Sequence, residues 1–372
     1  MSATVTTVGV DKQKWAIATA LFTLTSALRL WFVAWMSDKP LREALLKWDA
    51  SIYADIANYG YFRHDGTAAA SAEVWETRLA FFPGLPGLMR AIGQATGLDV
   101  TTAGYLIVTV AGIAMTAAAI TIAEELGADL RGRWAAAILI LGAPMSITFN
   151  MVYTEAPFLA LSLWALVAML RKQWAWAACA VFFASFFRLT AIDLWLTLLI
   201  AIGIYARSNI RAWAMAIASS LPLFAYLGYA SSYTRDVGGY FGLQKKGWHS
   251  SFDFGVATWR WSTKQLQTTH DVGYIVSILT IVAAVGACFF AFRRLPWALW
   301  IFGTGVVANV VLSDGIMHSR PRLLLPAIVL LLPAALRAAR LARRDLILIS
   351  IAWLLSGAWI SAHMLVVFQW AI

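Results

Sequence analysis

The chain has 372 residues, 61% of them apolar or aromatic and 13% charged, with a mean hydropathy of +0.71; soluble domains are nearer roughly half apolar and a quarter charged. With recurrent apolar runs of about 20 residues, the length of one bilayer crossing, this excludes a soluble enzyme, a disordered chain, a nucleic-acid-binding domain and a single-span receptor. It predicts an all-α polytopic membrane protein, residues 1–372 forming one integral domain, and the net charge of +10 sits on cations that flank apolar segments, as topology and anionic lipid require.

Eleven spans are expected, at 15–36, 101–124, 134–151, 155–170, 174–188, 190–205, 212–230, 272–292, 296–313, 322–338 and 346–369. The first, Trp15 to Met36, is too long for a signal core and ends without a small-residue cleavage site. Arg29 lies inside it, where an unpaired cation costs about 3 kcal/mol, so a partner is expected, Glu155 or a lipid phosphate. The pair 174–188 and 190–205 reads as a broken helix hinged at Arg188-Leu189-Thr190. Cys179 and Cys288 lie far apart inside apolar runs, with no disulfide framework or metal-ligand spacing.

Lys and Arg alternate between the short loops. Lys12, Lys14, Arg131, Arg133, Arg171, Lys172, Arg207, Arg211, Arg293, Arg294, Arg337, Arg340, Arg343 and Arg344 fall on one side; the short turns opposite hold only Arg188, Arg320 and Arg322. By the positive-inside bias the N-terminus is cytoplasmic and the C-terminus external. Two long segments, 37–100 and 231–271, then face outward with most of the acidic residues, Glu73 and Glu76 among them, and many aromatics. Any chemistry is expected there: catalysis in the first, substrate and lipid contact in the second.

In the first loop Asp49 follows Lys47-Trp48, and Tyr53 and Ile56 continue at i+4 and i+7, so 49–60 predicts a short interfacial amphipathic helix. Asp49 reads either as its N-cap or as a general base toward a lipid-linked hydroxyl. The run from Arg78 through Phe81-Phe82-Pro83-Gly84-Leu85-Pro86-Gly87 cannot be an ordinary span; an interfacial or re-entrant turn with the phenylalanines among acyl chains is expected, with or without a ligand. In Tyr153-Thr154-Glu155-Ala156-Pro157, Thr154 and Pro157 suit a helix start, and Glu155 is either a dipole-compatible acid or a second acid beside Asp49. Arg188, Arg320 and Arg322, with His318, are suited to phosphate, although snorkelling explains any one of them. Lys245, Lys246 and His249 in the second long loop add to a headgroup site. No phosphate loop, dinucleotide fingerprint or metalloprotease motif is present, and there is no room for a sugar-nucleotide domain, so a sugar donor would be membrane-borne.

Trp48-Asp49, Tyr53, Ile56-Ala57 and Gly60-Tyr61 resemble the first-loop signature of the PIG-V-like mannosyltransferases. Ala80-Phe81-Phe82-Pro83-Gly84-Leu85-Pro86 is similar to their "aFFPlyP" block, Ala143-Pro144 with Tyr153-Thr154-Glu155 to their "P…YTE" block, and Phe187-Arg188 to a later "fR" position. The match runs in order over 48–190 and more loosely to Arg320-Pro321-Arg322. Position 52 departs from it, with Ile where the family often has His or a polar residue. The resemblance implies a GT-C-type bundle with interfacial helices in the first external loop and an inverting, metal-independent mannosyltransferase without a cofactor. Its donor would be a polyprenyl-phosphate-mannose and its acceptor a lipid-linked glycan in a bacterial plasma membrane. Asp49 would be the catalytic base; Trp48, Tyr53, Arg78, Glu155, Arg188, Lys245, Lys246, His249, His318, Arg320 and Arg322 would contact substrate. A lipid-linked sugar flippase, or a scaffold for envelope assembly, are the competing readings.

Overall fold

The computed structural model describes residues 12–62 and 78–370, so Glu73 and Glu76 lie outside the described residues. The described residues are helical, with a single isolated bridge pairing Phe252 and Ser313. In chain order the helices are α1 (Lys12–Met36), α2 (Leu41–Leu45), α3 (Asp49–Tyr59), α4 (Gly84–Thr96), α5 (Val100–Glu125), α6 (Leu130–Leu141), α7 (Glu155–Leu170), α8 (Trp174–Ala184) and α9 (Ala191–Tyr205). They continue with α10 (Ile210–Ala218), α11 (Leu221–Tyr233), α12 (Gly239–Trp248), α13 (Val256–Thr268), α14 (Val272–Ala291), α15 (Trp297–Val311), α16 (Arg320–Leu323), α17 (Leu332–Ala338) and α18 (Arg343–Ala362).

Local chemistry fixes the ends. Asp99 accepts from the Thr101 and Thr102 amides to start α5, Asp129 from Gly132 to start α6, and Asp271 from Gly273 to start α14, each satisfying donors a helix start leaves open. The Ala-, Gly- and Thr-rich α5 packs with α1, α6 and α7. Small residues permit that closeness: a Cβ on Gly112 would lie 2.1 Å from the Phe22 ring, and one on Gly357 would lie 2.0 Å from the Gly142 carbonyl oxygen.

Among the described residues, five helical stretches are long and apolar enough to cross a membrane, namely Lys12–Met36, Val100–Glu125, Ile210–Tyr233, Val272–Ala291 and Arg343–Val367. A sixth is possible if Met317–Leu323 and Leu325–Ala338, bent by 61°, count as one. Four further apolar helices, α7, α8, α9 and α15, are shorter. Of the eleven expected spans, five or six meet that length and apolarity and the rest fall on shorter or broken helices. Several apolar runs in the sequence contain breaks: 134–151 stops at Gly142 and continues as a 3-10 turn, Ser146–Asn150, and 322–338 is interrupted around Pro326 and Pro333.

The two ends of the bundle differ. At one, Lys14 and Arg133 both pair with Glu124, and Arg171 pairs with Glu125. At the other lie α3, the loop before α4, the start of α7, the gap between α8 and α9, and the bent 317–338 segment.

Candidate active site

Helix α3 begins at Asp49, directly after Trp48, whose backbone has φ of 56° and ψ of −128°. A non-glycine residue there is strained, and such strain gathers at functional sites. No side chain caps the helix, so Asp49 is not an N-cap. Its carboxylate instead accepts a hydrogen bond from Arg322 Nη1, 273 positions along the chain, while the Trp48 ring beside it remains exposed.

Arg322 reaches this position because the 317–338 segment bends. Its guanidinium lies 5.0 Å above the Tyr153 ring, and its Nε is 3.7 Å from Glu155 Oε1. The same Glu155 oxygen accepts from Arg188 Nη1, which also lies 3.4 Å from Thr154 Oγ1. Asp49, Arg322, Glu155 and Arg188 thus form a continuous chain of alternating charge. Glu155 is 3% exposed, Arg322 12%, Arg188 13% and Asp49 24%, so Asp49 is the carboxylate open to a second molecule. Around it the phenols of Tyr53 and Tyr153 are pushed well above the ordinary tyrosine range, first by burial and then by the Asp49 carboxylate, so both rings present neutral hydroxyls.

Arg188 is held by a backbone contact. The Gly84 amide donates to the Phe186 carbonyl at 2.8 Å, and a Cβ on Gly84 would lie 2.7 Å from that oxygen. The loop leading into α4 is therefore pressed onto the turn that carries Arg188. That loop is not a lipid anchor, contrary to expectation: Phe81 and Phe82 are 6% and 2% exposed. Phe81 packs edge-on against Tyr53 and Trp248, and Phe82 against Tyr226 and Tyr240. The physical reason is the unpaired carbonyls of 79–81, which phenols satisfy. Tyr61 donates to Phe81 O at 2.8 Å, Tyr240 to Ala80 O at 3.2 Å, and the Tyr226 hydroxyl is shared between Phe81 O at 2.6 Å and Leu79 O at 3.0 Å. Tyr226 and Tyr240 come from helices distant in sequence, and Tyr61 from just beyond the end of α3.

The other residues singled out from sequence fall elsewhere. Arg320 is buried and donates to Thr258 Oγ1 and the Ser313 carbonyl, so it braces the turn. His318 stands among Tyr274, Phe368 and Trp370. Arg78 pairs with Asp55 of α3 at 2.8 Å, tying the loop to the helix that carries Asp49. Lys245, Lys246 and His249 lie on the exposed end of α12, outside the four-residue group. Arg29 is not paired with Glu155: buried, it donates to Asn150 Oδ1 at 2.7 Å, the Leu141 carbonyl at 2.9 Å and Ser26 at 3.1 Å. Tyr153, stacked under Arg322, escaped the sequence reading as a site residue, although it immediately precedes Thr154-Glu155. Among the described residues no cluster of three or more His, Cys, Asp or Glu side chains is arranged to hold a metal.

A partly exposed carboxylate joined to one guanidinium, with a second behind a buried carboxylate, is an arrangement that can take a proton and stabilise a nearby anion. No family model and no curated protein matches the sequence. The structure is similar to ArnT from Cupriavidus metallidurans, solved in the apo state, with a TM-score of 0.55 and 17% identity. The likeness covers 90% of this chain and 62% of that one, so this chain spans less than two thirds of ArnT. It shows the fold, an all-helical bundle similar to that of ArnT.

Proposed function

We propose that the protein is an integral-membrane glycosyltransferase that moves a sugar, in the finer reading mannose, from a polyprenyl-phosphate donor to a hydroxyl of a lipid-linked glycan. The observation that carries this reading is the Asp49–Arg322–Glu155–Arg188 chain, gathered from four distant segments in a GT-C bundle. The order of motifs like those of PIG-V-like mannosyltransferases supports the choice of mannose. The charge alternation of the short loops supports an external site with the N-terminus inside.

In this reaction Asp49 takes the proton of the acceptor hydroxyl as its oxygen forms the new bond to the anomeric carbon. The bond from that carbon to the donor phosphate breaks on the opposite face, inverting the centre, and its electron pair leaves with the phosphate. Phosphate is a competent leaving group when cations meet it, and Arg322 and Arg188 are the cations placed to do so. The group of four carries two positive and two negative charges, so the incoming phosphate must compete with Asp49 for Arg322. Winning that competition releases the carboxylate to act as base.

The test is transfer from radiolabelled polyprenyl-phosphate-mannose to membrane glycolipids by the purified protein. Asp49→Asn is expected to lower turnover by a factor of at least about 100 with donor binding retained. Full turnover in that variant would remove Asp49 from the chemistry and favour a flippase. No labelled product with any acceptor in the wild type would favour the scaffold.

A further inference from the structure

An open cavity of about 580 Å3, with polar and apolar surface in near-equal share, lies between the end of α13, the first turn of α14 and a single π turn, His363–Val367, that follows α18. It lies at the same end of the bundle as Asp49: Lys47, two residues before it, donates to the Leu365 carbonyl inside the π turn at 3.0 Å. It is also coupled to the turn that carries Arg322, because Ser277 of α14 donates to the His318 carbonyl at 3.2 Å.

The chemistry of the lining differs from that of the ion-paired group. Gln265, Thr269, His270, Asp271, Tyr274 and His363 supply amide, hydroxyl, imidazole, carboxylate and phenol, and among the described residues no Lys or Arg lines the cavity. Such a wall offers interleaved donors and acceptors with no fixed cation, which suits a neutral polyhydroxylated ring better than a phosphate. Two of the groups are held in place. One Asp271 oxygen accepts from the Gly273 amide at 2.8 Å, leaving the other for a ligand, and the His363 ring lies flat on Trp359, 5.2 Å away at 22°. Tyr274 is braced edge-on by Trp261 and Phe368. His363 opens the π turn that ends α18.

We propose that this cavity binds a sugar ring of the acceptor glycan, beside the ion-paired group rather than within it. That the sugar belongs to the acceptor rests on the glycosyl-transfer reading; that the cavity takes a sugar does not. The experiment uses the protein in lipid nanodiscs with the methyl glycosides of mannose, glucose, galactose and N-acetylglucosamine as probes, read by saturation-transfer NMR. At least one glycoside is expected to receive saturation from the wild type and from Asp49→Asn. The signal is expected to fall at least fivefold in the double variant Gln265→Ala/His270→Ala and, separately, in His363→Gln, with unchanged thermal midpoints. Saturation of no glycoside, or a signal that survives in both variants, overturns the proposal. Glycoside binding as expected alongside full turnover in Asp49→Asn would overturn the assigned base and leave the sugar site standing.

Discussion

Asp49 and Glu155 are carboxylates joined by one guanidinium, yet their surroundings give them different work. Glu155 is 3% exposed and answers two arginines, whereas Asp49 is 24% exposed and answers one. Removing one partner from a buried ion pair costs about 3–5 kcal/mol because a charge is left uncompensated, and the cost falls as water reaches the pair. Glu155→Gln should therefore lower the thermal midpoint in detergent more than Asp49→Asn does. Equal midpoints would mean that Glu155 is not the structural member of the pair. A second consequence concerns the donor. If phosphate displaces Asp49 from Arg322, Asp49→Asn removes the competitor, so donor affinity measured by fluorescence or calorimetric titration should rise severalfold while transfer is lost. Weakened donor binding in that variant would show that Asp49 holds the donor rather than competing with it. The sequence made Arg320 and Arg322 look equivalent, but two positions on a helical turn are about 200° apart around the axis. One therefore meets Asp49 and the other Thr258 and the Ser313 carbonyl.

At the scale of elements, α3 was readable because its apolar spacing and its length are local properties, and it forms at Asp49–Tyr59. The 78–87 run was readable as a break but not as a buried one. Its burial depends on hydroxyls from Tyr61, Tyr226 and Tyr240, which only the tertiary fold supplies. Gly84→Ala would drive a Cβ to 2.7 Å from the Phe186 carbonyl oxygen, whereas at Gly87 a Cβ meets nothing within 4 Å. Overpacking of this kind costs about 1–3 kcal/mol. Gly84→Ala should therefore lower both the thermal midpoint and transfer by shifting Arg188, with Gly87→Ala as the neutral control; matched behaviour of the two would break the link from loop to arginine. The phenols give a pH prediction. Burial raises Tyr61 and Tyr240 above the ordinary tyrosine value, so their contribution is fully present below about pH 10. Above that the unfolded chain has released protons that the folded chain retains, and stability falls with rising pH. Thermal midpoints should thus be flat to about pH 10 and decline beyond it, less steeply in Tyr61→Phe/Tyr240→Phe.

For the whole molecule, composition and periodicity were enough to indicate a helical membrane bundle, because apolar runs record the solvent each segment meets. The assembly of the site was not legible. Residues 49, 155, 188 and 322 converge only after the bundle has closed, and charge alone does not say which of many cations will face an acid. Of the eight basic residues expected to contact substrate, Arg188 and Arg322 join the group and six are placed elsewhere for that reason. The polarity of the bundle is nevertheless written in both records. Lys14, Arg133 and Arg171, expected on the cytoplasmic side, gather at one end on Glu124 and Glu125, and the Asp49 group closes the other. If positive-inside bias sets the orientation, then in a variant lacking Cys179 and Cys288 a cysteine at Lys39 or Lys245 should react with a membrane-impermeant maleimide in intact cells. A cysteine at Arg131 or Arg207 should react only after permeabilisation. The reverse pattern would put Asp49 and its arginines on the cytoplasmic face, where a donor and acceptor displayed on the outer leaflet cannot reach them, and the proposed reaction would have to be abandoned for one supplied from the inner leaflet.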